Sequence, residues 1–251
     1  MIKGLYTAAS SMGVLEKKSN IRANNLANSN TTGFKKSGTV TSSFPEMLLE
    51  RIEAGRNSEE IGEISTGAFL ERSFKDMRQG DLQRTNNKLD LAIQGEGFFT
   101  IETEAGIRYS RDGNFTINNN SELVTQSGNP VLDINGERIQ LIADEDFSID
   151  QNGVLRFNNG LQGSQIALVN FENSAELIQQ GDNLYLEVEE SNGSIASEAV
   201  LAQGYLETSN VKIVEEMVQM IKTSRHYESN QKVITTMDES LSKVINEVGK
   251  A

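Results

Sequence analysis

The stretch IVEEMVQMIKTSRHYESNQKVITTMDESLSKVINEV, Ile213 to Val248, decides how the rest of the chain is read. Ile213, Met220, Tyr227, Ile234, Leu241 and Val248 recur every seven residues, and Met217, Val218, Ile221, Met237, Val244 and Ile245 widen the stripe. A strict seven-residue apolar period is the pattern of a helix that packs along another helix. No Gly or Pro interrupts Tyr205 to Val248. Ser209 and Asn210 stand ahead of the acidic pair Glu215 and Glu216, as suits a helix N-terminus, and Gly249 supplies a stop. Counted from Asn210 through Val248, 39 residues rise about 58 Å, longer than a compact domain of this size needs. The expectation is a projecting helix in a coiled coil. The plainer alternative, a core helix lying on a sheet, accounts for the apolar face but not for the period or the length.

The other end carries a weaker version of the same pattern. Ile2, Leu5, Ala9 and Met12 follow a three-four alternation that continues through Ser19, Ala23 and Leu26. The predicted helix fails at NSNTTG, Asn28 to Gly33, whose residues prefer caps and turns. Residues 1–40 hold Lys3, Lys17, Lys18, Arg22, Lys35 and Lys36 against Glu16 alone, a basic head on a chain of net charge −13. That head is either a solvated helix face or a contact for an acidic neighbour. The first residues lack the unbroken apolar centre of a secretion signal, because Thr7, Ser10 and Ser11 interrupt it.

Between the ends the texture changes. FPEMLLERIEA, Phe44 to Ala54, reads as a short helix inside a polar connector. From Leu89 onward, short apolar runs (LDLAI, GFFTI, IQLI, VLRF, IALVNF, NLYLEV) alternate with Asp-Gly at Asp112 and Asn-Gly at Asn135, Asn152, Asn159 and Asn192. This is a succession of β-hairpins. FTINNNSELV at Phe115 and FSIDQNGVLRF at Phe147 read as one hairpin used twice. The fold class is therefore α+β, a central all-β domain of short hairpin strands between two terminal helices. The expected divisions are an N-terminal helix over 1–30, a connector with the short helix over 31–75, a β domain over 76–208 and a C-terminal helix over 209–251.

Composition excludes much chemistry. In 251 residues there is no Cys and one His, His226, which removes disulfides, thiolate metal sites, thiol nucleophiles and imidazole-based centres. No window approaches the length of a membrane-spanning helix, so no membrane insertion is expected. Between Leu89 and Thr208, 20 acids face four arginines, which repels a phosphate backbone, so nucleic acid is not a partner. Asp144, Glu145, Asp146 and Asp150 lack the ligand alternation of a calcium loop and read as a solvated turn. His226 sits beside Tyr227 on the predicted helix, without a nucleophile partner. Gly95 and Gly97 precede a β run rather than a helix, so they fail as a phosphate loop. No catalytic residue, metal ligand or cofactor is assigned.

Five segments give the chain a relative. ANNLANSNTTGFK (Ala23–Lys35), QGDLQRTNNKLDLAIQGEGFF (Gln79–Phe99), YSRDGNF (Tyr109–Phe115), GDNLY and QGYLETSNV resemble those of bacterial flagellar rod proteins, over nearly the whole chain. KVITTMDE at Lys232 leans towards the proximal type and QGEGFF towards the distal type. The resemblance implies that the terminal helices pair as an inner coiled-coil domain beneath an outer β domain, and that the subunit polymerises with itself into a helical tube carrying torque from motor to hook. It implies neighbouring rod and hook proteins and the type III export apparatus as partners, a place in the basal body, export without a cleaved signal, and no cofactor. The candidate interface residues are Leu5, Met12, Leu26, Ile213, Met220, Tyr227, Ile234, Leu241 and Val248. Asn24, Asn25, Leu26, Asn28, Gly33 and Phe34 carry the N-terminal motif, the asparagines as caps or hydrogen-bonding groups at the helix end. Two other classes remain to be weighed, a secreted surface-binding module and a carboxylate-based cell-wall hydrolase. The second sits poorly with zero Trp and 6% aromatic residues.

Overall fold

A computed structural model of the chain describes residues 2–45, 47–51, 59–142, 145–181, 183–188, 193–195 and 199–248. It divides into two compact units, between which the chain crosses four times. A helical unit comprises Met1–Ala27, Ser37–Phe74 and Lys212–Ala251, and a β unit comprises Asn28–Lys36 and Lys75–Val211.

In the helical unit, α1 (Ile2–Ala27) and α2 (Ile213–Val248) lie side by side. α1 stops where the cap-forming residues begin: Thr31 N–H returns to Asn28 O (3.2 Å), and Gly33 adopts φ +65°. α2 starts with Glu215 and Glu216 in its first turn, beside the free N–H groups of the helix end. Two antiparallel ribbons complete this unit. One joins β1 (Ser37–Ser43) to β4 (Ala68–Lys75), and the other joins β2 (Met47–Arg51) to β3 (Glu59–Ile64). The short helix expected over Phe44–Ala54 is not there. Met47–Arg51 is a strand, in register Met47↔Ile64 through Arg51↔Glu59 with a bulge at Leu49/Glu50, while Glu46 and residues 52–54 lie outside the described residues. An isolated helix of that length is marginal in water, and pairing with a neighbouring strand satisfies the same backbone groups.

The β unit contains β5 (Leu82–Arg84) paired with β19 (Tyr205–Glu207), and β6 (Leu91–Gln94) paired with β18 (Val200–Gln203). Its largest sheet has the antiparallel order β15-β16-β8-β7-β14-β17. These strands are β7 (Phe98–Thr103), β8 (Gly106–Ser110), β14 (Leu168–Phe171), β15 (Ile178–Gln179), β16 (Leu184–Leu186) and β17 (Gly193–Ile195). Two smaller sheets hold β9 (Phe115–Ile117) with β10 (Leu123–Thr125), and β11 (Phe147–Ile149), β12 (Val154–Phe157) and β13 (Gln162–Gln165).

Because side chains alternate across a strand, the adjacent Phe98 and Phe99 of β7 enter different cores. Phe99 joins Leu91, Ile93, Phe115, Leu123 and Leu155, with its ring 5.0 Å from that of Phe115. Phe98 joins Phe171, Leu177 and Tyr185, its ring edge-on to both aromatic partners at 5.6 Å. The hairpin read as used twice is a turn used three times. Asn118 Oδ1 accepts the N–H groups of Asn120 and Glu122 (both 2.9 Å), and Asp150 Oδ1 accepts those of Asn152 and Val154 (both 3.0 Å). Asp133 Oδ1 does the same for Asn135 and Glu137 (both 2.8 Å), closing the Leu132–Arg138 bridge. In each, the fourth residue has positive φ: Ser121, Gly136 and Gly153.

Candidate assembly surface

The helix pair runs antiparallel in a constant register. A Cβ on Gly4 would lie 2.7 Å from Met237 Cε, Asn230 Nδ2 donates to Ser11 Oγ (3.0 Å), and Arg22 Nη1 donates to Gln219 Oε1 (3.1 Å). Each pair of residue numbers sums to 241, so neither helix slips against the other along the shared length. On α1 this spacing carries Gly4, Ala8, Ser11, Leu15, Lys18, Arg22 and Asn25, and Val14 beside it is buried. On α2, Glu216, Met220, Thr223, Asn230, Ile234, Met237 and Leu241 are buried or half-buried along one face, in steps of three and four except for the step of seven across the exposed Tyr227. Thus Met220, Ile234 and Leu241 share the face of Asn230 and Met237, which touch α1. Val214, Met217, Val218 and Ile221 lie on the opposite face and are exposed.

Within the β unit, the segments next to three of the four crossings are tied together. Lys36 N–H donates to Asn210 Oδ1 (2.8 Å), Asn210 Nδ2 donates to Asp76 O (2.8 Å), and Asp76 N–H donates to Lys36 O (2.9 Å). Beside this triangle is a buried charge cluster. Lys35 Nζ donates to Glu207 Oε1 at 2.6 Å and to Arg78 O at 2.9 Å, and Gly80 N–H donates to the same carboxylate oxygen at 2.8 Å. Arg111 Nη1 stands 3.5 Å from Glu207 Oε2, an ion pair without a hydrogen bond, and its guanidinium lies 5.1 Å above the Phe98 ring. Lys35, Arg111 and Glu207 are almost fully buried. Burial lowers the Lys35 ammonium and the Arg111 guanidinium from their ordinary pKa, and Glu207 partly offsets this in both. Gly33 passes so close to this cluster that a Cβ there would lie 2.5 Å from the backbone of Arg111 and Asp112. Gly33 N–H donates to Glu207 O (2.8 Å), and Thr32 Oγ1 donates to Asp112 Oδ1 (2.6 Å).

This cluster gathers the recognised segments. Lys35 comes from GFK, Gly80 from QGDLQRT, Arg111 from YSRDGNF, Glu207 and Asn210 from QGYLETSNV, and Asn183 of GDNLY donates to Thr32 O (2.9 Å). None of these charges stood out in the sequence. Lys35 and Glu207 are 172 residues apart, and no spacing rule links them; the available signal was that each sits inside a separate quoted motif.

Of the N-terminal motif, Asn25 is buried and clamps the start of β1, donating to Ser37 O (2.9 Å) and accepting Ser37 N–H (2.8 Å). Asn28 Oδ1 accepts from Thr31 Oγ1 (3.3 Å), Asn24 is exposed, and Phe34 is buried with Lys75 Nζ 5.2 Å from its ring centre. Leu5, Met12 and Leu26 are half-buried on α1, and Ile213 and Tyr227 are exposed on α2; the Val248 side chain lies outside the described residues.

The acidic turn does not gather round a common point. Asp146 pairs with Lys88 (2.7 Å), Asp150 pairs with Arg156 (3.1 Å), and Glu145 accepts from Asn159 (2.7 Å); Asp144 lies outside the described residues. His226 is exposed on α2. Among the described residues, a groove of about 390 Å³ beside Arg111 has Glu96 as its one lining carboxylate, with Arg78, Gln79, Asn170 and Ser174. Among the described residues no second carboxylate, as glycoside hydrolysis uses, lines it.

Three family models match the chain. Flagella basal body rod protein covers residues 5–35, the flagellar hook protein FlgE/F/G D1 domain covers 92–162, and the flagellar basal body rod FlgEFG protein C-terminal region covers 202–247. The flagellar basal-body rod protein FlgG of Bacillus subtilis (strain 168) is 36% identical, over 98% of this chain and 99% of its own length. The chain belongs to the flagellar basal-body rod protein family. Other members with similar coverage are the flagellar hook-basal body complex protein FlhO of the same strain, at 34%, and the flagellar basal-body rod protein FlgF of Caulobacter vibrioides, at 32%. The family's N-terminal match ends at Lys35 and its C-terminal match begins at Ala202, so the buried Lys35–Glu207 pair joins residues from the two terminal family regions.

Proposed function

We propose that this chain is a structural subunit of the flagellar rod that polymerises through its helical unit. The observation that carries this reading is the apolar face of α2 left exposed after α1 has covered the other, on a chain related to rod proteins along its whole length. α1 and α2 act as an inner coiled-coil domain, and the β unit is the outer domain. Copies add through heterologous contacts whose rotation does not close a ring, which builds a helical tube stiff enough to pass torque towards the hook. Leu5, Met12, Leu26, Ile213, Met220, Tyr227, Ile234, Leu241 and Val248 belong to the packed helical layer, within one copy or between copies. The subunit works in the basal body against neighbouring rod and hook proteins, after passage through the type III export apparatus without a cleaved signal. The family is structural rather than enzymatic, which sets the hydrolase aside, and full-length similarity to rod proteins sets aside a free surface-binding module.

The test is Ile234→Asp in flagellated cells that depend on this chain. Ile234 lies on the α1-facing side of α2, so a charge there unseats the helix pair on which the exposed face is built; basal bodies then lack a complete rod and cells do not swim. The unfolding transition of the β unit in the purified variant stays in place, because position 234 lies outside it. Normal motility with Ile234→Asp overturns the reading.

A further inference from the structure

Arg111 brings donors into the buried charge cluster that nothing within the cluster accepts. Its side chain is 4% exposed, yet Nε and Nη1 have no hydrogen-bond acceptor among the described residues. A guanidinium carries five N–H groups and no acceptor of its own. Glu207 does not serve them: Oε1 accepts from Lys35 Nζ and Gly80 N–H, and Oε2 stands 3.5 Å from Arg111 Nη1 without bonding it. Two buried cations, Lys35 and Arg111, share one buried anion. Buried polar groups in folded proteins find partners, and the side from which one can reach Arg111 is defined. Its side chain lines the groove of about 390 Å³ and lies over the Phe98 ring, which lines the same groove.

Two further groups offer donors there. Asn170 Oδ1 accepts Phe171 N–H (2.9 Å), which leaves Nδ2 without an acceptor among the described residues, and Ser174 Oγ has no partner among them. Gln79 is held as a wall, donating to Ile93 O (2.6 Å) and accepting Gly95 N–H (3.3 Å), and Arg78 is paired with Asp76. We propose that the groove binds a carboxylate from outside the chain, held by the Arg111 guanidinium with Asn170 Nδ2 and Ser174 Oγ as additional donors. The two oxygens of a carboxylate match neighbouring N–H groups of a guanidinium, and its single charge matches the one cation in excess. A phosphate brings more negative charge against the exposed Glu96 on the rim and against a β unit with 20 acids and four arginines between Leu89 and Thr208. The Phe98 ring keeps water from one face of the guanidinium, which strengthens its bond to an anion. Every residue of the site belongs to the β unit, so binding is a property of the single chain and does not require polymerisation through the helical unit.

The test is heteronuclear NMR of arginine side chains in the purified full-length chain, with the Arg111 Nε–H signal assigned by through-bond correlation to its own backbone. Sodium acetate and the blocked peptide acetyl-Gly-Glu-Gly-amide are titrated separately at fixed pH, each against sodium chloride at equal ionic strength. The Arg111 signal should move to saturation with a carboxylate and not with chloride, while those of the exposed Arg84 and Arg225 stay in place. Glu96→Gln removes a like charge from the rim and should tighten binding by about 2–5-fold. Asn170→Ala removes a donor and should weaken it by about 3–10-fold. Both positions are half-buried or exposed, so the fold is kept. Tighter binding of the peptide than of acetate identifies an acidic polypeptide as the source of the carboxylate, and equal binding identifies a free monocarboxylate; both uphold the site. An Arg111 signal that stays in place, or that moves equally with chloride, overturns the proposal. So does a carboxylate response unchanged in both variants.

Discussion

The helical unit places Gly4, Ser11, Thr223, Asn230 and Glu216 along its seam and leaves Val214, Met217, Val218, Ile221 and Ile245 in solvent. The β unit buries Phe98, Phe99, Phe115, Leu155 and Tyr185. In the β unit, the phenylalanine rings pack within the chain and the buried Lys35, Arg111 and Glu207 are paired with one another, while single aliphatic residues such as Ile107, Leu161 and Ile178 stay exposed. In the helical unit, small and polar residues share the internal contact with Val14, Leu15, Met220, Ile234 and Met237, while Val214, Met217, Val218 and Ile221 face outwards. What separates the two is continuity: the exposed residues on α2 form one stripe along a helix face, and the hydrophobic contribution of such a stripe is still to come from a neighbour.

The sharpest way to break the β unit is through its charge cluster. Glu207→Ala leaves Lys35 and Arg111 buried without an anion and leaves Gly80 N–H without its acceptor. Removing one partner of such a buried set costs about 3–5 kcal/mol. Chemical unfolding of the purified chain should show the β unit's transition moved by that amount. A change below about 1 kcal/mol, the range of exposed ion pairs, would mean that the cluster is open to water.

Glycine substitutions compare the two units directly. A Cβ on Gly80 would lie 2.0 Å from Thr208 O, a backbone atom held between β19 and α2, whereas a Cβ on Gly4 meets the terminal methyl (2.7 Å) and sulfur (3.5 Å) of the Met237 side chain. Gly80→Ala must displace a strand end and is expected to cost about 3 kcal/mol or more. Gly4→Ala asks one flexible side chain to rotate and removes a glycine from a helix interior, so it is neutral or stabilises by about 0.5 kcal/mol. Equal costs at the two positions would remove the distinction between a rigid β unit and an adaptable helix seam.

How much of this was legible in the sequence follows from which interactions are local. The two helices, the hairpin succession and the cap at Asn28–Gly33 depend on neighbours within a few residues, and periodicity and turn chemistry report them. The strand at Met47–Arg51 was misread as helical because its composition suits a helix and its partner, Glu59–Ile64, lies in a separate segment. The heptad row showed that α2 packs against a helix. It did not show that Val214, Met217, Val218 and Ile221, read as a widening of that row, point away from α1, since that depends on which face the antiparallel register selects. The charge cluster was the least legible feature, because its members come from distant segments that only the fold brings together.

Tyr185 offers a smaller test of the β unit and one of pH. Its hydroxyl is buried without a hydrogen-bond partner among the described residues, and burial raises its pKa well above 10, with the nearby Arg111 acting in the opposite direction. Below pH 10 the phenol is neutral in both folded and unfolded chains and contributes no pH dependence. Above that, the unfolded chain loses the proton and the folded chain retains it, so stability falls as pH rises. Tyr185→Phe should therefore be neutral or stabilising by up to about 1 kcal/mol at pH 7, and should reduce the alkaline loss. Tyr109, raised to about 12 by burial and then by its bond to Glu187, leaves a residual loss. An unchanged alkaline profile would show that Tyr185 reaches water.

The smallest expected effect lies in the repeated turn. Asn118, Asp133 and Asp150 each accept the N–H groups two and four residues on, and the residue at the fourth position takes positive φ: Gly136 at 80°, Gly153 at 81°, but Ser121 at 61°. A serine held there carries a Cβ penalty that glycine avoids. Against this, glycine adds freedom to the unfolded chain, so only part of the penalty is recovered. Ser121→Gly should stabilise the β unit by about 0.5 kcal/mol, a rise of roughly 1–2 °C in Tm. The native backbone bonds Ser121 N–H to Asn118 O and Leu141 N–H to Ser121 O remain available to glycine, so nothing else is lost. Destabilisation by Ser121→Gly would mean that the serine side chain holds this turn in place, and that the three turns are alike in backbone but not in cause.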